Sequence, residues 1–111
     1  MELEREQHGI VTVLSLRGAI DIEATKVLLP EVMRCKSAGL FQIVLEMRDV
    51  PAIDSVGLET IQSLAADLGR RGGDLRLAAV NEICRDILTA TRVESLVQVF
   101  SDLENAVRSY T

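Results

Sequence analysis

Ile43-Val44-Leu45-Glu46-Met47-Arg48-Asp49-Val50-Pro51-Ala52-Ile53-Asp54-Ser55-Val56-Gly57-Leu58 decides the reading of this chain. It opens on an apolar, strand-like run, and Leu58 begins a stripe that continues through Ile61, Ala65 and Leu68 at helical spacing. Between the two lies a strand-to-helix turn that presents a serine at a helix N-terminus. Free N–H groups and a partial positive charge there can hold a phosphate. Asp54 reads as the N-cap and Ser55 as the first helical residue, exposed by geometry. Gly57 falls in the first turn, where glycine costs about 0.5–1 kcal/mol relative to alanine. Local conflicts of this kind mark functional sites, and the expected gain is bare backbone that a partner chain or a phosphate can approach. On spacing alone two readings stand. Asp-Ser is a common way to open a helix and glycine is common in turns, or Ser55 is a switch position.

Outward from this turn, strand and helix alternate. Leu3 to Gln7 predicts a short first strand with a turn at His8-Gly9, and Ile10 to Leu16 a second strand ended by Gly18. A helix is expected from about Ala24 to Ala38, stopped by Gly39. Pro30 either kinks it or marks where the main helix begins. Met33, at helical spacing from Leu29, reads as core filler. Ile43 to Met47 suits a sheet covered on both faces or flanked by strands on both sides. The Ser55 helix ends at Gly69 and the chain turns through Arg70 to Asp74, where the two arginines complement the helix dipole. Leu75 to Val80 predicts a strand, and Glu82 to Thr91 a helix with Ile83, Ile87 and Leu88 on its apolar face. Leu96 to Phe100 predicts a last strand, and Ser101 to Glu104 a capping box opening a terminal helix. The pattern is that of one α/β domain over residues 1–111. Its sheet is mixed but mostly parallel, with four to five strands and about four helices.

Composition narrows the function. With 48% hydrophobic but only 3% aromatic residues, the core is aliphatic, and 26% charged residues is ordinary for a globular domain. A net charge of -5 argues against nucleic acid and anionic membrane surfaces as partners. No apolar run approaches the roughly 20 residues of a membrane span, so a cytoplasmic protein without membrane insertion is expected. Cys35 and Cys84 have neither metal-ligand nor CxxC spacing and read as inert, reduced, buried thiols. A nucleophilic Ser55 would need a base, and the only histidine, His8, lies in the expected hairpin turn. Ile53 stands where a nucleophile elbow has its first glycine. The carboxylate pairs Asp21/Glu23 and Asp102/Glu104 look like helix N-terminal charges. No catalytic residue, cofactor or metal site is expected.

Gly18-Ala19-Ile20-Asp21, the strand Ile43 to Val50, Asp54-Ser55-Val56-Gly57-Leu58 and Gly72-Gly73 before a strand come in an order that resembles the STAS domain over essentially the whole chain. The Asp-Ser-x-Gly-Leu turn is the most specific of these motifs. The resemblance is to bacterial anti-sigma factor antagonists, non-enzymatic switches in transcription regulation and signal transduction. It implies a partner that is both anti-sigma factor and serine protein kinase, and a serine phosphatase that resets the switch. Ser55 would be the phosphoacceptor. Asp21, Asp54, Val56, Gly57, Leu58 and Glu59 would join it in the partner-binding face. Where many antagonists have a second Ser or Thr and a second Gly, this chain has Val56 and Glu59, so phosphorylation must fall on Ser55 and the choice of kinase is open. The alternative is a constitutive STAS subunit of a larger signalling or lipid-transport assembly; an enzyme or small-ligand binder at the same sheet end ranks behind both.

Overall fold

A computed structural model describes residues 1–110. Five strands form one sheet in the order β1-β2-β3-β4-β5: Glu2–His8, Val11–Arg17, Gln42–Asp49, Asp74–Ala78 and Gln98–Phe100. β1 runs antiparallel to β2, and the other pairings are parallel, in a register that sets Val13 beside Val44, Arg76 and Gln98. The helices are α1 (Ile22–Ser37), α2 (Ser55–Arg70), α3 (Glu82–Ala90) and α4 (Leu103–Arg108), with a 3-10 turn at Val93–Ser95. The mixed, mostly parallel α/β sheet expected from the sequence is the one found.

Alternation along the strands divides the core between two faces. Leu14 and Leu16, then Ile43, Leu45 and Met47, then Leu75 and Leu77 face the buried stripes of α1, α2 and α3. Val11, Val13, Val44 and Ala78 face the other way, beneath Ala106 of α4. The Tyr110 hydroxyl seats this last segment by reaching the carbonyls of Ile43 (3.1 Å) and Asp74 (3.0 Å), with Arg76 over its ring. β3 is thus apolar on both sides because both sides are covered.

Several details differ from the sequence reading. α1 begins at Ile22, two residues early, because Asp21 caps it through the Ala24 N–H (2.9 Å). It runs unbroken through Pro30, which is exposed. Met33 is exposed rather than core: the sheet-facing stripe is Ala24, Leu28, Val32 and Cys35, and Met33 lies off it. Ile83 is likewise exposed, its expected place in the core taken by Cys84. β5 begins only at Gln98, since Val93–Ser95 curls into the 3-10 turn ahead of it. The terminal helix is capped by Asp102, whose carboxylate accepts the Asn105 N–H (2.8 Å), so the Ser101–Glu104 box does not form. Both cysteines are free and buried, as expected.

Candidate functional site

Parallel strands that feed helices place the N-termini of α1, α2 and α3 at one end of the sheet, and three loops meet there. The loop after β2 and the turn after β3 are laced by backbone hydrogen bonds. Gly18 N–H donates to Asp49 O (3.0 Å), Ile20 N–H to Ala52 O (3.0 Å) and Asp54 N–H to Ile20 O (3.2 Å). Ile20 and Ile53, both buried, form an isolated parallel bridge. The third loop joins through Asn81, which caps α3 and donates from Nδ2 to Val50 O (3.0 Å). Asp21 and Ser55 therefore belong to one surface, positioned by backbone rather than by side chains.

At the head of α2, Asp54 is exposed and extended, and its carboxylate accepts the Gly57 N–H at 2.9 Å. Ser55 is the first helical residue; it is exposed, and its hydroxyl makes no hydrogen bond to another described residue. Glu59 stands exposed one turn on, and Val56 and Leu58 are half-buried. Asp54, next to the serine, and Glu59, one turn on, are both exposed carboxylates of this helix head. One turn into the helices, the Thr25 and Thr60 hydroxyls meet at 3.0 Å, joining α1 to α2, and Thr60 also reaches the Val56 carbonyl (3.0 Å).

Gly57 has a different reason from the one its sequence position suggested. It is buried, and a Cβ there would lie 2.2 Å from the Ile20 carbonyl oxygen. The bare backbone is used inside the molecule, to let α2 press against the loop after β2. Asn81 and the contact of Ile20 with Gly57 are the structural contributions that motif reading missed. Asn81 carried a signal, as a capping residue ahead of an acidic first turn; the contact of Ile20 with Gly57 left none. His8 ends β1 opposite Val11, distant in the fold from this surface, with Glu6 Oε1 3.0 Å from its Nε2.

Solved structures share this fold. An anti-sigma factor antagonist from Mycobacterium paratuberculosis superposes with a TM-score of 0.86 at 21% identity, over 97% of this chain and 92% of its own. The Bacillus cell-fate determinant SpoIIAA in its phosphorylated form gives 0.76 at 15% identity, over 99% and 100%. A sulfate transporter family protein from Wolinella succinogenes gives 0.81 at 22%, over 92% and 85%. At these identities the likeness is one of fold. No curated protein sequence matches the chain. The family model of the STAS domain matches residues 2–106, nearly the full length, and the chain belongs to the STAS domain family.

Proposed function

We propose that this chain is an anti-sigma factor antagonist, a protein-binding module without enzymatic activity whose partner is an anti-sigma factor that is also a serine kinase. Phosphorylation of Ser55 is the switch. The observation that carries this reading is the free Ser55 hydroxyl, exposed at the first position of α2 on a turn otherwise fixed by backbone hydrogen bonds. A kinase can take such a hydroxyl without unfolding anything around it. The unmodified form binds the kinase and frees the sigma factor, the phosphorylated form lets go, and a serine phosphatase restores the first state. The docking face comprises Asp21, Asp54, Ser55, Val56, Leu58 and Glu59, with Gly57 holding the turn in place beneath them.

The phosphate adds about -1.5 to -2 charges at neutral pH. The helix terminus favours it by about 0.3–1 kcal/mol, and the nearby carboxylates oppose it by a like-charge term. The two effects oppose each other within the domain, and release arises on the partner's side, from bulk and charge placed where the free hydroxyl docked. The protein acts in the cytoplasm on this reading; among the described residues no helix is long and apolar enough to cross a membrane.

The test is site-mapped mass spectrometry of protein isolated from its host, with Ser55→Ala as control, and capture of bound proteins by wild type and Ser55→Asp. Phosphate confined to Ser55, and a kinase retained by wild type but lost by Ser55→Asp, is the expected result. The likeness to a sulfate transporter family protein favours one other reading, a constitutive subunit of a larger signalling or lipid-transport assembly. An unphosphorylated protein that keeps one partner regardless of Ser55→Asp would establish that instead.

A further inference from the structure

Among the described residues seven large apolar side chains are exposed, and four of them, Ile22, Val27, Leu29 and Met33, are on α1. Single exposed apolar residues need no explanation, but a contiguous patch does. Ile22, Leu29 and Met33 are 52%, 41% and 62% exposed, and with Lys26 between them they recur at alternating spacings of four and three residues. That spacing draws one line down a helix, the pattern of a helix–helix seam. α1 thus carries two apolar stripes: Ala24, Leu28, Val32 and Cys35 face its own sheet, and this second line faces outward.

The charges beside the outer stripe indicate what covers it. Asp21 and Glu23 stand at the N-terminal end, Arg34 and Lys36 at the other. A helix acidic at one end, basic at the other and, apart from Lys26 in the stripe and Glu31 beside it, apolar between is complementary to itself turned end for end. A two-fold axis crossing α1 between Val27 and Leu28 sets Ile22 against Met33 of a second copy and Leu29 against the aliphatic stem of Lys26. It also brings Arg34 beside Glu23 and aligns the helix dipoles antiparallel, head against tail. Both groups already have partners within the domain. Glu23 with Lys26 (3.2 Å) is exposed on both sides. Arg34 leaves Glu31 to Arg5, which already stands 3.5 Å from it. The edge strand β1 offers no comparable surface, since Glu2, Glu4 and Glu6 line one side of it and repel a like strand.

We infer that α1 is the seam of a symmetric homodimer, in which a second copy of this chain docks antiparallel along Ile22, Lys26, Leu29 and Met33. The inference is independent of Ser55 modification. Sedimentation equilibrium of the full chain over a wide concentration range tests it. A reversible monomer–dimer equilibrium is expected, weakened about tenfold or more by Met33→Lys. Arg34→Glu should weaken it as well, and adding Glu23→Arg to that variant should restore it, because the double reversal rebuilds the pair across the axis. Circular dichroism melts verify that these surface variants remain folded. A protein that stays monomeric up to about 1 mM, a dimer indifferent to Met33→Lys, or a double reversal no better than Arg34→Glu overturns the inference. So does a monomer whose Met33→Lys variant instead loses a different bound protein, which would assign the stripe to that protein.

Discussion

The same substitution at two glycines of α2 should change stability in opposite directions. A methyl at Gly57 would sit 2.2 Å from the Ile20 carbonyl oxygen and 2.9 Å from both Ile20 C and Ile20 Cγ2, whereas ordinary contact begins near 3.4 Å. Relief therefore requires a separation of 3.4 − 2.2, about 1.2 Å, between the head of α2 and the loop after β2. The obstacle is backbone, held by Ile20 N–H on Ala52 O and by Asp54 N–H on Ile20 O, so it cannot rotate away as a side chain would. Overpacking of this kind costs about 1–3 kcal/mol, and loss of the Asp54–Ile20 hydrogen bond adds about 1 kcal/mol. Alanine's better helix propensity returns at most about 1 kcal/mol. Gly57→Ala should thus lose about 2 kcal/mol, roughly 8 °C in Tm for a domain of this size. Gly69, in the last turn of the same helix, has nothing within 4 Å of a built Cβ. There only the propensity remains, and Gly69→Ala should gain about 0.5–1 kcal/mol. Urea titration with unchanged slope and a calorimetric melt measure both variants. A Gly57→Ala protein as stable as wild type would refute the close-approach argument, and destabilisation by both substitutions would show that the helix responds to alanine for another reason.

Three further outcomes follow from the structure. Arg92 takes the left-handed conformation (φ 63°) just after the C-cap of α3, where glycine is preferred, so Arg92→Gly should raise stability by about 0.5–1 kcal/mol in urea titration. The hydrogen bond from Lys36, then its charge and those of Arg71 and Arg70, hold the Asp67 carboxyl below its ordinary value. A depressed carboxyl contributes stability that is full above its unfolded pKa, about 3.9, and is lost as pH falls through the folded value. The advantage of wild type over Asp67→Asn in urea midpoint should accordingly persist at neutral pH and vanish in strong acid. Burial pushes the Cys35 and Cys84 thiols up, so neither should react with a disulfide reagent in the native protein, and both should react in denaturant.

What the sequence disclosed was what depends on local pattern. The run Ile43 to Met47 marked a strand covered on both faces, and the pairing of Asp54 with Ser55 marked a capped helix head; both are where the spacing places them. Other features depend on what lies across space, and there the sequence was silent or misleading. Gly57 looked like an opening for a ligand because its true neighbour, the Ile20 carbonyl, is 37 positions earlier and comes near only when β2 pairs with β3. Met33 and Ile83 looked like core because an apolar residue at helical spacing is ambiguous until the phase of the helix on the sheet is known. At Asp102 two capping residues stood in succession, and geometry rather than composition chose the second.

On the proposed reading the head of α2 would separate holding from signalling, and the residue types show how. Gly57 and Ile20 provide contact, Asp54 provides the cap, and the Ile20–Ala52 and Asp54–Ile20 bonds provide register, all without the serine side chain. Ser55 is thereby left with a hydroxyl that makes no hydrogen bond among the described residues. Had the serine itself been the cap, modification would have removed a bond worth about 1 kcal/mol, and the switch would have acted by loosening the helix. With the aspartate as cap, the phosphorylation proposed for Ser55 would leave the cap hydrogen bond in place. A module built this way changes what it presents to a partner without changing how it folds, which is the property a reversible protein-binding switch requires.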